Sequence, residues 1–363
     1  MSRFLDPGLQ NTPVYVPGEQ PQDGISYVKL NTNESPYPPS PQVLAALSPE
    51  AISRLNLYPD PNMTQLRQTA ATYFSLTPDM VLPVNGSDEG LAFAFQALFR
   101  QHGVVCPAIT YGFYGVLAGL YGVAYHKLPL TEDYRIDWRQ YANSAYNIVI
   151  ANPNAPTGIA LNPGEAEAIV AANPDRVVLL DEAYIDFGGE SAVPLTKKYD
   201  NLLVVRTFSK SRSLAGARLG LVLGNAELIA DLERIRAACA PYNVSRLTQA
   251  AGVAALQDDA YFRTCVERIR LCRNTTALGL RTLGCQVLDS AANFVFARYP
   301  HLTGAEFYAA LRRQGILVRY FNVPELDGWV RISIGSADDT ASLLHAVKQI
   351  VVSSEGGDSH DEK

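Results

Sequence analysis

Short apolar runs alternate with helical patterns along most of this chain, and that alternation limits the folds it can adopt. The apolar runs cover residues 103–106, 147–151, 177–180, 202–205 and 219–223. Helical patterns cover residues 41–47, 63–74, 88–101 and 163–172. Strands this short and this apolar are buried on both faces, as in a mainly parallel sheet with helices on either side. We therefore expect an α/β fold built on such a sheet.

The last third of the chain has a different pattern and predicts a second, smaller α+β domain. Helices dominate residues 226–283, and the following strands and helices are short and mixed. A length of 363 residues also favours more than one core. The predicted parts are an N-terminal arm at 1–40, a large domain at 41–270, a small domain at 271–352 and a disordered tail at 353–363.

The charge balance and the cysteines narrow the class of protein. The formal net charge is −6, and no basic cluster is present, which argues against nucleic acid or an anionic membrane as partner. The five cysteines are scattered without metal-ligand spacing, so we expect free thiols and no metal site. The N-terminus lacks the apolar core of a signal peptide, and no apolar run is long enough to span a membrane. A cytoplasmic protein is expected.

Lys210 follows an apolar strand in the run V-V-R-T-F-S-K-S-R-S-L-A-G-A-R-L-G, which covers residues 204–220. A lysine at a strand exit, beside Ser209 and followed by Arg218, can bind an aldehyde cofactor covalently while its neighbours bind a phosphate. A solvated surface charge would give the same local pattern. Other segments of the chain must therefore distinguish a cofactor-binding lysine from a surface lysine.

Four further segments lie at predicted strand ends or turns, where open α/β sheets build their sites. Residues 84–90, V-N-G-S-D-E-G, open a helix whose free N–H groups can bind an anion, although a plain capped helix fits too. Asp181 follows an apolar strand, and a buried carboxylate needs a positive partner, such as a protonated pyridine nitrogen. The aromatic loop 107–114 can cover a flat ring or pack in the core, and 152–158 reads as a Pro/Gly turn.

Together these segments resemble the fold-type I enzymes that depend on pyridoxal 5′-phosphate (PLP), and more closely the family of histidinol-phosphate aminotransferases. The resemblance runs from about Tyr15 to the last helix. It includes K-L-N-T-N-E-S-P-Y-P-P-S-P at residues 29–41 and L-N-L-Y-P-D-P at residues 55–61. It implies a large PLP-binding domain with a mostly parallel sheet and a small C-terminal domain.

The resemblance also implies a role for each site residue. Lys210 would bind PLP covalently and move a proton, Asp181 would pair with the pyridinium nitrogen, and Tyr184 would bond the ring hydroxyl. Tyr111 would stack on the ring, and Tyr58 would reach the cofactor phosphate of a neighbouring subunit, which implies a homodimer. The phosphate of the chain's own cofactor would be held by the backbone N–H groups of Ser87 and Asp88, together with Ser209 and Arg218.

One position departs from the family pattern. An asparagine usually precedes Pro-Thr-Gly and bonds the ring hydroxyl, and here that position is Ala155. The loss of one neutral hydrogen bond typically costs about 1 kcal/mol. It should therefore tune the cofactor rather than abolish catalysis. Asn152 or Asn154 could fill the gap, as could a water molecule.

The resemblance implies a substrate as well. Arg331 matches the family's carboxylate-binding arginine and Arg319 a second arginine that helps bind the substrate phosphate, while Tyr15 and Asn33 line the same pocket. The expected reaction transfers an amino group from L-glutamate to imidazole acetol phosphate, giving L-histidinol phosphate and 2-oxoglutarate. Alternatives are an aromatic amino-acid aminotransferase, a threonine-phosphate decarboxylase, and a non-enzymatic protein that keeps the scaffold.

Overall fold

The computed structural model describes residues 2–10, 12–21 and 24–357, and its strands form three sheets. The strands in chain order are β1 (Val28–Lys29), β2 (Val81–Val84), β3 (Val104–Pro107), β4 (Tyr125–Leu128), β5 (Asn147–Ala151), β6 (Val178–Asp181), β7 (Leu202–Thr207), β8 (Gly220–Gly224), β9 (Gln286–Val287), β10 (Phe294–Arg298), β11 (Ile316–Leu317), β12 (Arg319–Tyr320) and β13 (Val330–Ser333). The α-helices are α1 (Pro41–Ala46), α2 (Pro49–Ser53), α3 (Thr64–Phe74), α4 (Ser87–Leu98), α5 (Phe113–Tyr121), α6 (Glu165–Ala171), α7 (Ala226–Cys239), α8 (Arg246–Gln257), α9 (Asp259–Thr282), α10 (Gly304–Arg313) and α11 (Ala337–Gly357).

The largest sheet has the strand order β2-β8-β7-β6-β5-β3-β4. Strands β7, β6, β5, β3 and β4 pair in parallel, whereas β8 runs antiparallel to both of its neighbours. All six residues of β7 and all five of β5 are buried, because helices cover both faces of the sheet. The predicted α/β fold with a mostly parallel sheet is confirmed, and β2 and β4 are strands that the apolar runs did not reveal.

Two hydrophobic cores fill the faces of this sheet. On one face, helices α4, α5 and α7 contribute residues such as Leu91, Leu117 and Ile229. On the other face, helices α3, α6 and α8 contribute residues such as Leu66 and Ile169. The sheet is thereby packed on both faces, and the carboxyl ends of its parallel strands lie at one edge.

A third core belongs to the C-terminal part of the chain. The antiparallel sheet β12-β13-β10-β9 packs against α9, α10 and α11, and β1 from the N-terminal arm pairs with β11. The predicted boundary between residues 270 and 271 falls inside α9. Val266 and Ile269 of that helix are already buried in the third core. The small α+β unit therefore includes most of α9 and part of the arm.

The two ends of the chain are the segments predicted as an arm and a disordered tail. Leu30 is buried in the third core and β1 pairs with β11, so this part of the arm docks on the C-terminal unit. Helix α11 continues through Gly357, so residues 353–357 are helical rather than disordered, and 358–363 lie outside the described residues. Among the described residues, no helix combines the length and the apolar character that crossing a membrane requires.

Candidate active site

A cavity lies at the carboxyl ends of the parallel strands, where the large sheet meets the C-terminal unit. Strands β6 and β7 deliver Asp181 and the Ser209–Lys210 pair, and β13 delivers Arg331. Ala155 and Gly18 also line it. Of the predicted site residues, those that line the cavity are Tyr15, Asn33, Ser87, Asp88, Tyr111, Asp181, Tyr184, Ser209, Lys210, Arg218, Arg319 and Arg331.

Lys210 projects into this cavity just after β7 ends. Its Nζ donates a hydrogen bond to the carbonyl oxygen of Thr32 at 3.0 Å. Burial, followed by the nearby positive charge of Arg331, lowers the pKa of the Lys210 amine to about 8. A substantial fraction of the amine is therefore neutral near pH 7 to 8, as a nucleophilic lysine must be.

Asp181 closes β6, and its carboxylate is 5 % exposed. Oδ2 accepts a hydrogen bond from the Tyr114 hydroxyl at 2.8 Å, and Oδ1 accepts one from the backbone N–H of Ala183 at 3.1 Å. Burial raises the pKa of Asp181 to about 6, and these two donors oppose that rise. The carboxylate is ionised at neutral pH and lacks a bonded cation among the described residues, so it suits a positively charged ligand atom.

Tyr184 presents its hydroxyl to the same cavity. The Nδ2 of Asn33 donates to that hydroxyl at 3.0 Å, and the Asn33 Oδ1 accepts from Ser333 Oγ at 2.8 Å. Asn33 is 1 % exposed and has a φ of 56°. The Asn33 side chain is thus bonded to protein on both sides, and it orients Tyr184 as well as lining the pocket.

The start of helix α4 forms an anion cradle with a neighbouring arginine. Gly86 is the N-cap and supplies no side-chain acceptor, so the first N–H groups of α4 remain available. Gly86 has a φ of 79°, and a Cβ there would lie 2.7 Å from Arg218 Nη2. Arg218 also contacts the Asp88 carboxylate, at 3.3 Å. Helix N–H groups and a guanidinium are donors that a phosphate accepts from.

Ala155 leaves a position in the cavity that no asparagine side chain of this turn occupies. Asn154 accepts from Thr110 Oγ1 at 2.8 Å and donates to the Ile109 carbonyl at 2.9 Å, which turns it away. Asn152 Oδ1 accepts from the Leu161 backbone at 2.9 Å. Within the described ranges, neither asparagine replaces the missing amide. Tyr184 packs beside Ala155.

The two predicted substrate arginines differ in how they are bonded. Arg331 donates from Nη2 to the Asn31 carbonyl at 3.2 Å, but its Nε is buried without a hydrogen-bond partner among the described residues. A buried guanidinium N–H without an acceptor is costly, so a bound anion would stabilise it. Arg319 instead donates to the carbonyls of Val16 and Pro17, at 2.8 and 2.9 Å. It holds the N-terminal arm over the cavity.

Tyr58 is the predicted site residue that the structure does not bring to the cavity of its own chain. It is 76 % exposed and stacks on Tyr242, with ring centroids 4.6 Å apart. Tyr114, conversely, contacts Asp181 and was not singled out from the sequence. Its place in the aromatic loop 107–114 was the available signal, but a sequence pattern does not show which carboxylate a tyrosine reaches.

The side chains and helix N–H groups of this cavity fit PLP. The cavity combines a lysine with a lowered pKa, a buried carboxylate suited to a protonated ring nitrogen, and an anion cradle at a helix start. Tyr111 supplies an aromatic face to the same cavity, and Tyr184 supplies a phenol hydroxyl. These groups together provide the contacts that a planar, phosphorylated aldehyde requires.

Comparison with known proteins gives the family. The model of aminotransferase class I and II matches residues 25–350. The chain is 47% identical to histidinol-phosphate aminotransferase 1 of Bradyrhizobium diazoefficiens, over 97% of this chain and 100% of that protein. It is also 47% identical to histidinol-phosphate aminotransferase 1 of Pseudomonas aeruginosa, over 96% and 99% of the two chains.

A solved structure agrees in fold. Histidinol-phosphate aminotransferase from Sinorhizobium meliloti, in complex with pyridoxal-5′-phosphate, superimposes with a TM-score of 0.85 at 25% identity and covers 97% of this chain and 99% of that chain. L-threonine-O-3-phosphate decarboxylase from Porphyromonas gingivalis has a TM-score of 0.78 at 23% identity, over 89% and 99% of the chains, and shows the fold alone. The resemblance found in the sequence is confirmed: this chain belongs to the aminotransferase class I and II family.

Proposed function

We propose that this protein is a PLP-dependent transaminase that interconverts L-histidinol phosphate plus 2-oxoglutarate with imidazole acetol phosphate plus L-glutamate, as in histidine biosynthesis. The observation that carries the proposal is the meeting of Lys210, Asp181 and Arg331 in one cavity, where Arg331 Nε has no hydrogen-bond partner among the described residues. The names of relatives 45 to 48% identical over nearly the whole chain support the substrate.

The residues that would hold PLP all line the cavity. Asp181 would pair with the ring nitrogen, Tyr184 would bond the ring hydroxyl, and Tyr111 would stack on the ring. The backbone N–H groups of Ser87 and Asp88, together with Ser209 and Arg218, would hold the phosphate. When bound, PLP supplies an electron sink that makes a proton on the substrate carbon removable.

Lys210 would do the proton transfer. Its Nζ is the basic atom of the cavity, and the pKa of about 8 lets it accept and return a proton near neutral pH. The Thr32 carbonyl, 3.0 Å away, would orient the amine. Because the donor and acceptor substrates bind in turn, one pocket must serve both.

The arginines would select the substrates. Arg331 would bind the glutamate carboxylate through the fork that its Nε leaves open. Arg319 would help bind the phosphate of histidinol phosphate, and to do so it would have to give up at least part of its bonding to the arm. Tyr15, 41 % exposed and edge-on to Tyr111 at 5.8 Å, would cover the entrance.

A homodimer would complete the site. Tyr58 lies on an exposed apolar surface that includes Leu55 and Leu57, which are 57 % and 50 % exposed. A second copy packed there would bury this surface and bring Tyr58 to the neighbouring cofactor phosphate. Sedimentation velocity of the PLP-loaded protein measures this directly, and a monomer would contradict the shared site.

The decisive test of the function is a half-reaction. PLP-loaded protein mixed with L-histidinol phosphate and no keto acid should lose its visible cofactor absorbance, and 2-oxoglutarate should restore it. Phenylalanine and threonine phosphate serve as comparison substrates. No absorbance change with histidinol phosphate would refute the proposal. A higher kcat/KM for phenylalanine would favour an aromatic aminotransferase, and carbon dioxide release from threonine phosphate would indicate a decarboxylase.

Substitutions of Arg331 and Arg319 should have different effects on the KM values of the two substrates. Arg331→Gln should raise the KM for both L-glutamate and histidinol phosphate by about 10- to 100-fold, because a charge-assisted bidentate contact is lost. Arg319→Gln should raise the KM for histidinol phosphate more than that for glutamate. Steady-state kinetics with each substrate varied in turn checks both. Equal effects of Arg319→Gln on the two substrates would contradict its assignment to the phosphate.

A further inference from the structure

The first turn of helix α5 holds the Asp181 carboxylate from outside the cavity. Tyr114 has 0 % exposure, and its hydroxyl donates to Asp181 Oδ2 at 2.8 Å. The backbone N–H of Ala183 donates to Oδ1 at 3.1 Å. Tyr114 is not among the described residues that line the cavity, whereas Asp181 is. The tyrosine therefore touches the carboxylate from behind and leaves its remaining lone pairs to a ligand.

The hydrogen bond from Tyr114 opposes the other influences on the pKa of Asp181. Burial raises the pKa of Asp181, and the carboxylates of Asp88 and Glu182 raise it further. Lys210 shares the cavity but bonds to Thr32 instead. The Tyr114 donor acts in the opposite direction and lowers the Asp181 pKa. Burial and Asp181 also raise the pKa of Tyr114 well above its usual range, so the phenol stays protonated and remains the donor.

Tyr114 has a second contact within the site. Its ring lies edge-on to Tyr111, with centroids 5.6 Å apart and planes at 86°. The Tyr111 hydroxyl donates to Asp88 Oδ1 at 3.2 Å, and Asp88 contacts Arg218. One buried side chain thus positions both the carboxylate and the aromatic ring of the cavity.

We propose that Tyr114 is a positioning residue for this site: its hydroxyl keeps the Asp181 carboxylate ionised and turned toward the position of the cofactor ring nitrogen. The inference rests on the proposed PLP chemistry, because an ionised carboxylate is what holds that nitrogen protonated. Tyr114 would act through Asp181, because in the described part of the chain it bonds that carboxylate without lining the cavity.

The test is Tyr114→Phe, which removes one oxygen atom. In the cofactor-free full-length protein, the carboxyl group of Asp181 is followed by ¹³C NMR after aspartate labelling, and Asp181→Asn identifies its signal. Asp181 should titrate near pH 6 in the parent protein. In the variant its pKa should rise by about one unit or more, since a hydrogen bond to the charged form is lost.

Two further readouts separate positioning from a merely structural role. The dissociation constant for PLP should rise by about tenfold, and kcat should fall by about tenfold, with the KM for glutamate nearly unchanged. The matched control is Tyr141→Phe, which deletes the same atom from a tyrosine that is 1 % exposed in the core of the opposite sheet face. The control should leave the Asp181 titration and PLP affinity unaltered.

An unchanged Asp181 titration in folded Tyr114→Phe would overturn the proposal. If that variant does not fold, 3-fluorotyrosine at position 114 keeps the ring and makes the phenol a stronger donor. It should lower the Asp181 pKa, and no shift or an upward shift would overturn the proposal equally. The titration of Asp181 needs neither substrate nor cofactor. Its result can therefore be interpreted even if the half-reaction with histidinol phosphate fails.

Discussion

Replacing Lys210 with alanine is expected to lower kcat by at least about 10³-fold, because in the proposed function this one side chain would supply both the nucleophile and the proton-transfer group. The fold should persist. Among the described residues the Lys210 side chain bonds the Thr32 carbonyl alone, and burial already disfavours its charge and lowers its pKa. Loss of that bond should change the free energy of unfolding by only about 1 kcal/mol. Turnover of histidinol phosphate and urea denaturation measure the two quantities.

Two companion variants sharpen this result. Lys210→Arg keeps a positive charge but cannot become neutral near pH 7, so it should be as inactive as the alanine variant. Lys198→Ala removes a surface lysine that bonds Glu167 at 2.6 Å, and it should leave turnover unchanged. Turnover of Lys210→Arg at the parent rate would show that a neutral amine at this position is not required.

Arg206→Met is expected to give a large loss of stability, about 3–5 kcal/mol. Arg206 pairs with Glu182 at 3.2 Å and with Asp186, and the Glu182 side chain is 0% exposed. The substitution keeps side-chain volume but leaves the Glu182 carboxylate buried without its cation. Chemical denaturation at pH 7 measures the loss.

The destabilisation should depend on pH in a definite direction. Burial already raises the pKa of Glu182, and Arg206 opposes that rise. Without Arg206 the folded-state pKa lies still further above that of the unfolded chain. The folded variant then binds the proton more tightly, so its stability deficit should shrink as the pH falls through that raised pKa and be full above it. A deficit that is independent of pH would contradict this account.

Two controls test the cause. Adding Glu182→Gln to Arg206→Met removes the uncompensated charge and should recover much of the lost stability. Arg139→Met removes a surface arginine whose side chain is 74% exposed, and it should change stability by less than about 0.5 kcal/mol. If Arg206→Met were as mild as Arg139→Met, the buried pair would contribute little.

Much of this protein could be predicted from its sequence. The run at 147–151 predicts β5 with its observed bounds, and the long periodic segment near 260–283 predicts α9 to within one residue at each end. Burial on both faces makes such strands continuously apolar, and one buried face makes such a helix periodic. The order of Asp181, Lys210 and Arg218 along the chain placed them at strand ends that share an edge, and they do line one cavity.

Other features needed the folded chain. Strand β8 runs antiparallel within a mostly parallel sheet. The direction of a buried strand cannot be predicted from its apolar run, because both directions bury the same residues. The predicted division at residues 270 and 271 cuts α9, because this helix packs in the third core on both sides of that point and its composition does not change there. The arm carbonyls that Arg319 bonds are about 300 residues away in sequence, at Val16 and Pro17.

The sequence by itself determined the fold class, the family and the chemical groups of the site, because these depend on periodicity and on residue types at strand ends. Only the tertiary structure decided what each group contacts. It placed Tyr114 behind Asp181, bonded Asn33 to Tyr184, turned Asn154 away from Ala155 and left the Arg331 Nε without a partner among the described residues. Hydrogen-bond partners and burial are set by segments far apart in the chain, and burial in turn shifts the pKa values of Lys210 and Asp181 toward neutrality.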